Sequence, residues 1–158
     1  MYQYKQIEDE NPLFLFKTSL GVQYVLELTK DNFGCNYFNN LYSLSFYHTN
    51  DTSNKVKIDI KIQATISTII IDFLNNNKEA LIHYICDSSD NRQYGRNRLF
   101  NTWFNQSNTS NAYSKLNINY PTPDIMYTLE FIFFSGIYTN TDIETNVVAQ
   151  LDVFSENK

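Results

Sequence analysis

The chain reads as a single α+β domain, with antiparallel strands first, then a helix–strand–helix crossover, a strand pair and a C-terminal helix. Three patterns predict this. Val56, Ile58, Ile60 and Ile62 alternate with Lys55, Lys57, Asp59 and Lys61, the two-residue rhythm of a strand with one wet face. Ile66, Ile69, Ile70, Phe73 and Leu74 then follow i, i+3, i+4, i+7, i+8, which places them on one helical stripe. Ala80 to Cys86 is continuously apolar around His83 and Tyr84, as in a strand covered on both faces.

The remaining elements follow in order. Leu13–Phe16 and Val22–Leu28 are β-prone runs around Thr18-Ser19-Leu20-Gly21, which predicts a hairpin whose glycine takes a positive φ. Lys30–Gly34 is a turn cluster, and Leu41–His48 alternates as a third strand. Lys55–Ile62 is the fourth strand, and the helical stripe that follows it ends at Asn75-Asn76-Asn77. A strand after a helix is expected to run parallel to an earlier one through a right-handed crossover. A second helix fits Asn91–Phe104, capped from Asp87-Ser88-Ser89-Asp90. Leu116, Ile118 and Tyr120 alternate up to a break at Pro121–Asp124, and Ile125–Phe134 completes a strand pair. Ile143, Val147, Leu151 and Phe154 are helically spaced from Asp142, although Val147–Val153 would also suit a strand.

Composition bounds the function classes. The 158 residues fit one domain, and 12 Tyr and 12 Phe with only 4 Gly and 3 Pro predict an ordered core. The formal charge of −5 repels phosphate backbones and anionic lipid, so nucleic acid is disfavoured, a local patch of Arg92, Arg96, Arg98 and Lys115 being the exception to test. The beginning of the chain lacks a secretory layout, and no apolar run approaches a membrane span. Cys35 and Cys86 are read as reduced thiols of a cytoplasmic protein, with a bridge between them as the alternative.

The densest polar constellation runs from Cys86 to Arg98, where an acidic turn at the carboxyl end of a central strand enters an arginine-bearing helix, a favoured ligand position in open sheets. Arg92, Arg96 and Arg98 could offer planar donors to a carboxylate, a phosphate or an acidic partner. The structural alternative pairs them with Asp87 and Asp90, which as a helix start serve for capping before catalysis. His83 reads as a hydrogen-bonded strand histidine, His48 as the end of a strand and Trp103 as core. No His/Cys spacing suits zinc, and no metal is expected. The tyrosine surplus suits an interface formed by a partner protein or by self-association.

From Lys55 to Phe134 the order of elements resembles the back half of the GNAT (N-acetyltransferase) superfamily, in which a strand leads into a helix, a parallel strand, a second helix and an antiparallel pair. That resemblance implies an acetyl-CoA site at the strand-to-helix junction, where a glycine loop presents backbone amides to the pyrophosphate. Here the junction reads Lys61-Ile62-Gln63-Ala64-Thr65-Ile66-Ser67-Thr68. Gln63, Thr65 and Ser67 are its candidate loop residues, while Ile66 and Thr68 stand where the glycines belong and would block close backbone approach. Tyr84 to Phe104 also resembles a family of small uncharacterised bacterial proteins. The expected function is therefore a non-enzymatic interaction module without a cofactor, with an acyl-CoA-dependent enzyme as the alternative and a nucleic-acid-associated protein as the third reading.

Overall fold

The computed structural model describes residues 1–8, 11–34, 37–49, 59–85, 93–121 and 126–156. Strands β1 (Tyr4–Glu8), β2 (Leu13–Lys17), β3 (Gln23–Asp31) and β4 (Leu41–His48) form an antiparallel meander. Helix α1 (Ile60–Asn76) carries the chain to β5 (Leu81–Ile85), which is parallel to β4. Helix α2 (Gln93–Ser107), the pair β6 (Tyr113–Pro121) and β7 (Met126–Phe134), and helix α3 (Asn140–Glu156) follow. β7 returns between β5 and β6, so the seven-stranded sheet has the order β1-β2-β3-β4-β5-β7-β6.

Side-chain alternation divides the core between the two sheet faces. On the first face, Phe14, Leu26, Ile82 and Ile132 pack under α1 through Ile62, Ile66, Ile69, Ile70, Phe73 and Leu74, and α2 adds Phe100, Trp103 and Phe104. On the second, Leu41, Leu81, Leu129, Phe131 and Phe133 are covered by Ile143 and Val147 of α3. β5 and β7 are buried on both faces, which is why Ala80–Ile82 and Phe131–Phe133 read as unbroken apolar runs. The turn between β2 and β3 closes with Gly21 at φ 82, its amide donating to Thr18 O at 3.0 Å.

Two sequence expectations are corrected. The strand expected over Lys55–Ile62 does not reach its expected end: residues 55–58 lie outside the described residues, and Ile60–Ile62 are the first turn of α1. Asp59 caps that helix by accepting from the Lys61 amide at 2.8 Å, and Ile62 continues the buried stripe four residues before Ile66. The alternation misleads because Ile60, apparently part of the buried face, is 75% exposed. Among the described residues the strand that precedes the crossover is β4, and β1 is the additional member of the meander. Tyr113 lengthens β6 at its start and Pro121 closes it opposite Met126. At the carboxyl end the helix is formed, not the strand.

Candidate functional site at the end of the parallel ladder

Among the described residues the parallel ladder at the centre of the sheet is short. β4 pairs with β3 over its whole length, from Leu41 to His48, but with β5 only from Leu41↔Leu81 to Ser43↔His83. Beyond Ser43 no further pairing of β4 with β5 is present among the described residues, and no described strand fills the cleft there. Thr49 N donates to Gln23 O at 3.0 Å, so odd-numbered residues of β4 point their main chain at β3 and Phe46 points its own into the cleft. Its ring is half-buried on the first face, while Tyr47 stands 46% exposed on the second.

Aromatic rings line one flank. Tyr24 and Phe46 are nearly parallel at 5.1 Å between centroids, Phe16 lies 5.3 Å from Tyr24, and Tyr2 stacks on Phe16 at 6.2 Å. Tyr2 fastens this row to the start of α1. Its amide donates to Thr65 Oγ1 at 2.8 Å and its hydroxyl donates to Asp59, with Lys61 Nζ over its ring at 5.8 Å. The Tyr2 hydroxyl, followed by the Lys61 amide, holds the Asp59 carboxyl below the usual carboxylate range. Tyr24 is pushed up by burial and then by the charge of Asp59. An ionised, hydrogen-bonded carboxylate thus occupies the α1 N-terminus, where an anion would otherwise dock.

Where the ladder stops, His83 lies on the second face, 3% exposed, with Nε2 donating to Asp31 Oδ2 at 2.9 Å. Burial pushes the His83 pKa down against the opposing pull of Asp31, so the ring is neutral at pH 7 with its lone pair on Nδ1. Burial would raise Asp31, but the Phe33 and Asn32 amides and His83 outweigh it and the carboxyl titrates below its ordinary value. Phe33, at φ 49, lays its ring 4.7 Å from the imidazole.

On the first face beside Tyr84, a second polar cluster lies between α2 and the sheet. Glu130 of β7, 1% exposed, accepts from Asn117 Nδ2 at 2.7 Å and from Asn97, and Lys115 Nζ lies 2.9 Å from its Oε2. Lys115 also donates to Asn101, which donates to Asn97, and its ammonium lies 5.6 Å from the Tyr84 ring centre. Asn97 and Asn117 occupy Oε1 and the Lys115 ammonium faces Oε2, an arrangement that suits docking of α2.

The predicted site residues separate. Asp87, Asp90 and Arg92 lie outside the described residues, as do Cys35 and Cys86. Arg96 lies on α2 and Arg98 is exposed there. Lys115 belongs to the buried Glu130 cluster and is lost to any surface patch with Arg98. Gln63, Thr65 and Ser67 form no loop, since all three are inside α1. Gln63 bonds Gln106 of α2 at 2.6 Å, Thr65 is fully buried and donates to Lys61 O, and Ser67 faces a 30 Å³ apolar cavity between the helices. Sequence reasoning missed Glu130 and Asp31, whose partners lie far away in the chain. Among the described residues no helix is long and apolar enough to cross a membrane.

Residues 58–126 match the model of a family of unknown function (DUF6169). The match spans α1, β5, α2 and β6, the crossover that bounds the cleft, and brings no activity with it. No curated protein and no solved structure matches the chain.

Proposed function

We propose that the protein is a non-enzymatic interaction module, which takes an extended polypeptide segment of a partner, or of a second copy, onto the β4 side of the cleft. The observation that carries this reading is the parallel ladder, which among the described residues ends at Ser43↔His83 while β4 continues to His48. A strand edge with outward main-chain groups templates the addition of another strand, with main-chain bonds supplying affinity and alternate side chains supplying specificity. Here the added segment would meet Phe46 with Tyr24 on one side and Tyr47 on the other.

Mass measurement in solution and capture from host lysate test it. Phe46→Pro removes the amide aimed into the cleft without touching the β3 ladder, whereas Phe46→Leu keeps that amide. Association should survive Leu and be lost with Pro. A strictly monomeric protein that captures nothing would sink the reading.

A second reading, an acyl-CoA-dependent transferase, draws support from the order of elements around the cleft, which follows the resemblance described above. The acidic cap at Asp59 opposes it. Calorimetric titration with acetyl-CoA separates the two: saturable heat that grows in Asp59→Asn would favour the enzyme, and its absence would remove it.

A further inference from the structure

On the first face, beside the last turns of α1, a concavity of about 440 Å³ lies between the helix and the sheet. The sheet lines it with Tyr4, Gln6 and Tyr42, and the helix end with Asp72, Asn76 and Asn77. Strand alternation agrees, since Tyr4 and Gln6 pair with the core residues Phe16 and Phe14 and share their face. Gln6, Asp72, Asn76 and Asn77 are exposed, so the concavity opens to solvent. None of its lining residues belongs to the aromatic row or to the cleft, and Asp72 stands roughly 20 Å along α1 from Asp59.

The electrostatic features of this concavity share one sign. Asp72 is the single charged residue of its lining. Its Oδ2 accepts from the Tyr4 hydroxyl at 2.7 Å, and among the described residues it forms no ion pair. Burial, followed by Asp72 itself, pushes the Tyr4 phenol up, so that hydroxyl stays a donor to the carboxylate. The helix also ends here. Asn77 donates its amide and its Nδ2 to Phe73 O, both at 2.9 Å, and the last turn of α1 carries no basic residue to meet the negative end of the helix dipole. Lys78, next to the cap, holds its ammonium 5.1 Å from the Phe134 ring centre, and Lys30, opposite Tyr42, lies outside the lining. Tyr42, T-shaped with Phe73 at 5.0 Å, and Tyr4, T-shaped with Phe14 at 6.0 Å, add two half-buried rings.

We infer that this concavity is a binding site for a small primary ammonium ion on a short apolar body, with the head at Asp72 among the side-chain amides of Asn76 and Asn77, and the body against Tyr4 and Tyr42. An ammonium brings three donors and no acceptor. The carboxylate answers them, and so does Asn77 Oδ1, since the Nδ2 of that side chain is used on the helix. Tyrosine rings attract a cation and cover an alkyl chain equally well. The carboxylate repels an anion of the same shape, and a neutral analogue gains nothing from it.

The test is a nuclear magnetic resonance titration of the full, isotope-labelled chain at neutral pH with butylamine, tetramethylammonium, butanol and butyrate, at low and physiological salt. Butylammonium should shift the Tyr42, Asn76 and Asn77 amide signals saturably, with higher affinity at low salt, and leave those of Phe46 and Tyr47 in the cleft unmoved. Tetramethylammonium, which has no N–H to donate, should bind more weakly, and butanol and butyrate should not saturate. Asp72→Asn keeps the shape of an exposed side chain and an acceptor for Tyr4, so the remaining signals should report an unchanged fold while butylammonium affinity falls roughly tenfold or more. Equal binding of butanol or tetramethylammonium, unchanged affinity in the variant, shifts confined to Phe46 and Tyr47, or no saturation by butylammonium would overturn it.

Discussion

At residue scale, the most telling group is His83, whose burial keeps it neutral while its partner Asp31 is kept charged. A histidine with a depressed folded pKa contributes stability fully above its unfolded value, here near 6.5, and that stability is lost as pH falls toward the folded value. Asp31, also depressed, adds a second loss at lower pH, below the ordinary carboxylate range. Urea midpoints should therefore fall from pH 7.5 to pH 5, and His83→Gln should flatten the upper part of that slope. A variant with an unaltered slope would show that the imidazole is not what titrates. Sequence alone identified His83 as a hydrogen-bonded strand histidine. It could not identify Asp31, 52 residues earlier, because the contact depends on the register of β3, β4 and β5.

At the scale of elements, α2 is held by two unlike contacts. Phe100, Trp103 and Phe104 join the apolar core, while Asn97 and Asn101 reach into the Glu130–Lys115 cluster. Removing one member of a buried ion pair leaves the other uncompensated, so Lys115→Met should cost about 3–5 kcal/mol in chemical denaturation. Adding Glu130→Gln should cost less than the sum of the two singles. The apolar half of this helix was legible, since Leu99, Phe100, Trp103 and Phe104 stand together in the sequence. The polar half was not, because an asparagine facing a buried carboxylate has the same letter as one facing water. The start of α1 was misread for a related reason. Asp59 is both a polar member of an alternating run and a helix cap, and only the four-residue step from Ile62 to Ile66 favours the second. β1 escaped notice because Tyr4–Glu8 carries no apolar alternation of its own.

At the scale of the whole molecule, two cores share one sheet. β5 and β7 send Ile82 and Ile132 to the first core and Leu81, Phe131 and Phe133 to the second. Neither core persists once these strands separate, so unfolding should be a single transition. Ile66→Ala under α1 and Val147→Ala under α3 should each lower that one midpoint, by about 2–5 kcal/mol for the isoleucine. Two resolved transitions in calorimetry would show that the cores are independent. This sharing follows from apolar runs visible in the sequence, but the position of β7 between β5 and β6 does not, since no local signal states which strand becomes the neighbour of which.

That strand order also governs when the molecule can be completed. β1 to β4 can zip up from neighbouring segments as soon as they exist, whereas β5, with β4 on one edge, must wait for its second partner about fifty residues downstream, Leu81 finally meeting Phe133. Distant pairings of this kind slow the search for the native state. A ribosome-bound chain ending before residue 126 would hold a finished meander beside an unfinished centre, and the last strand to be read would close the sheet from the inside.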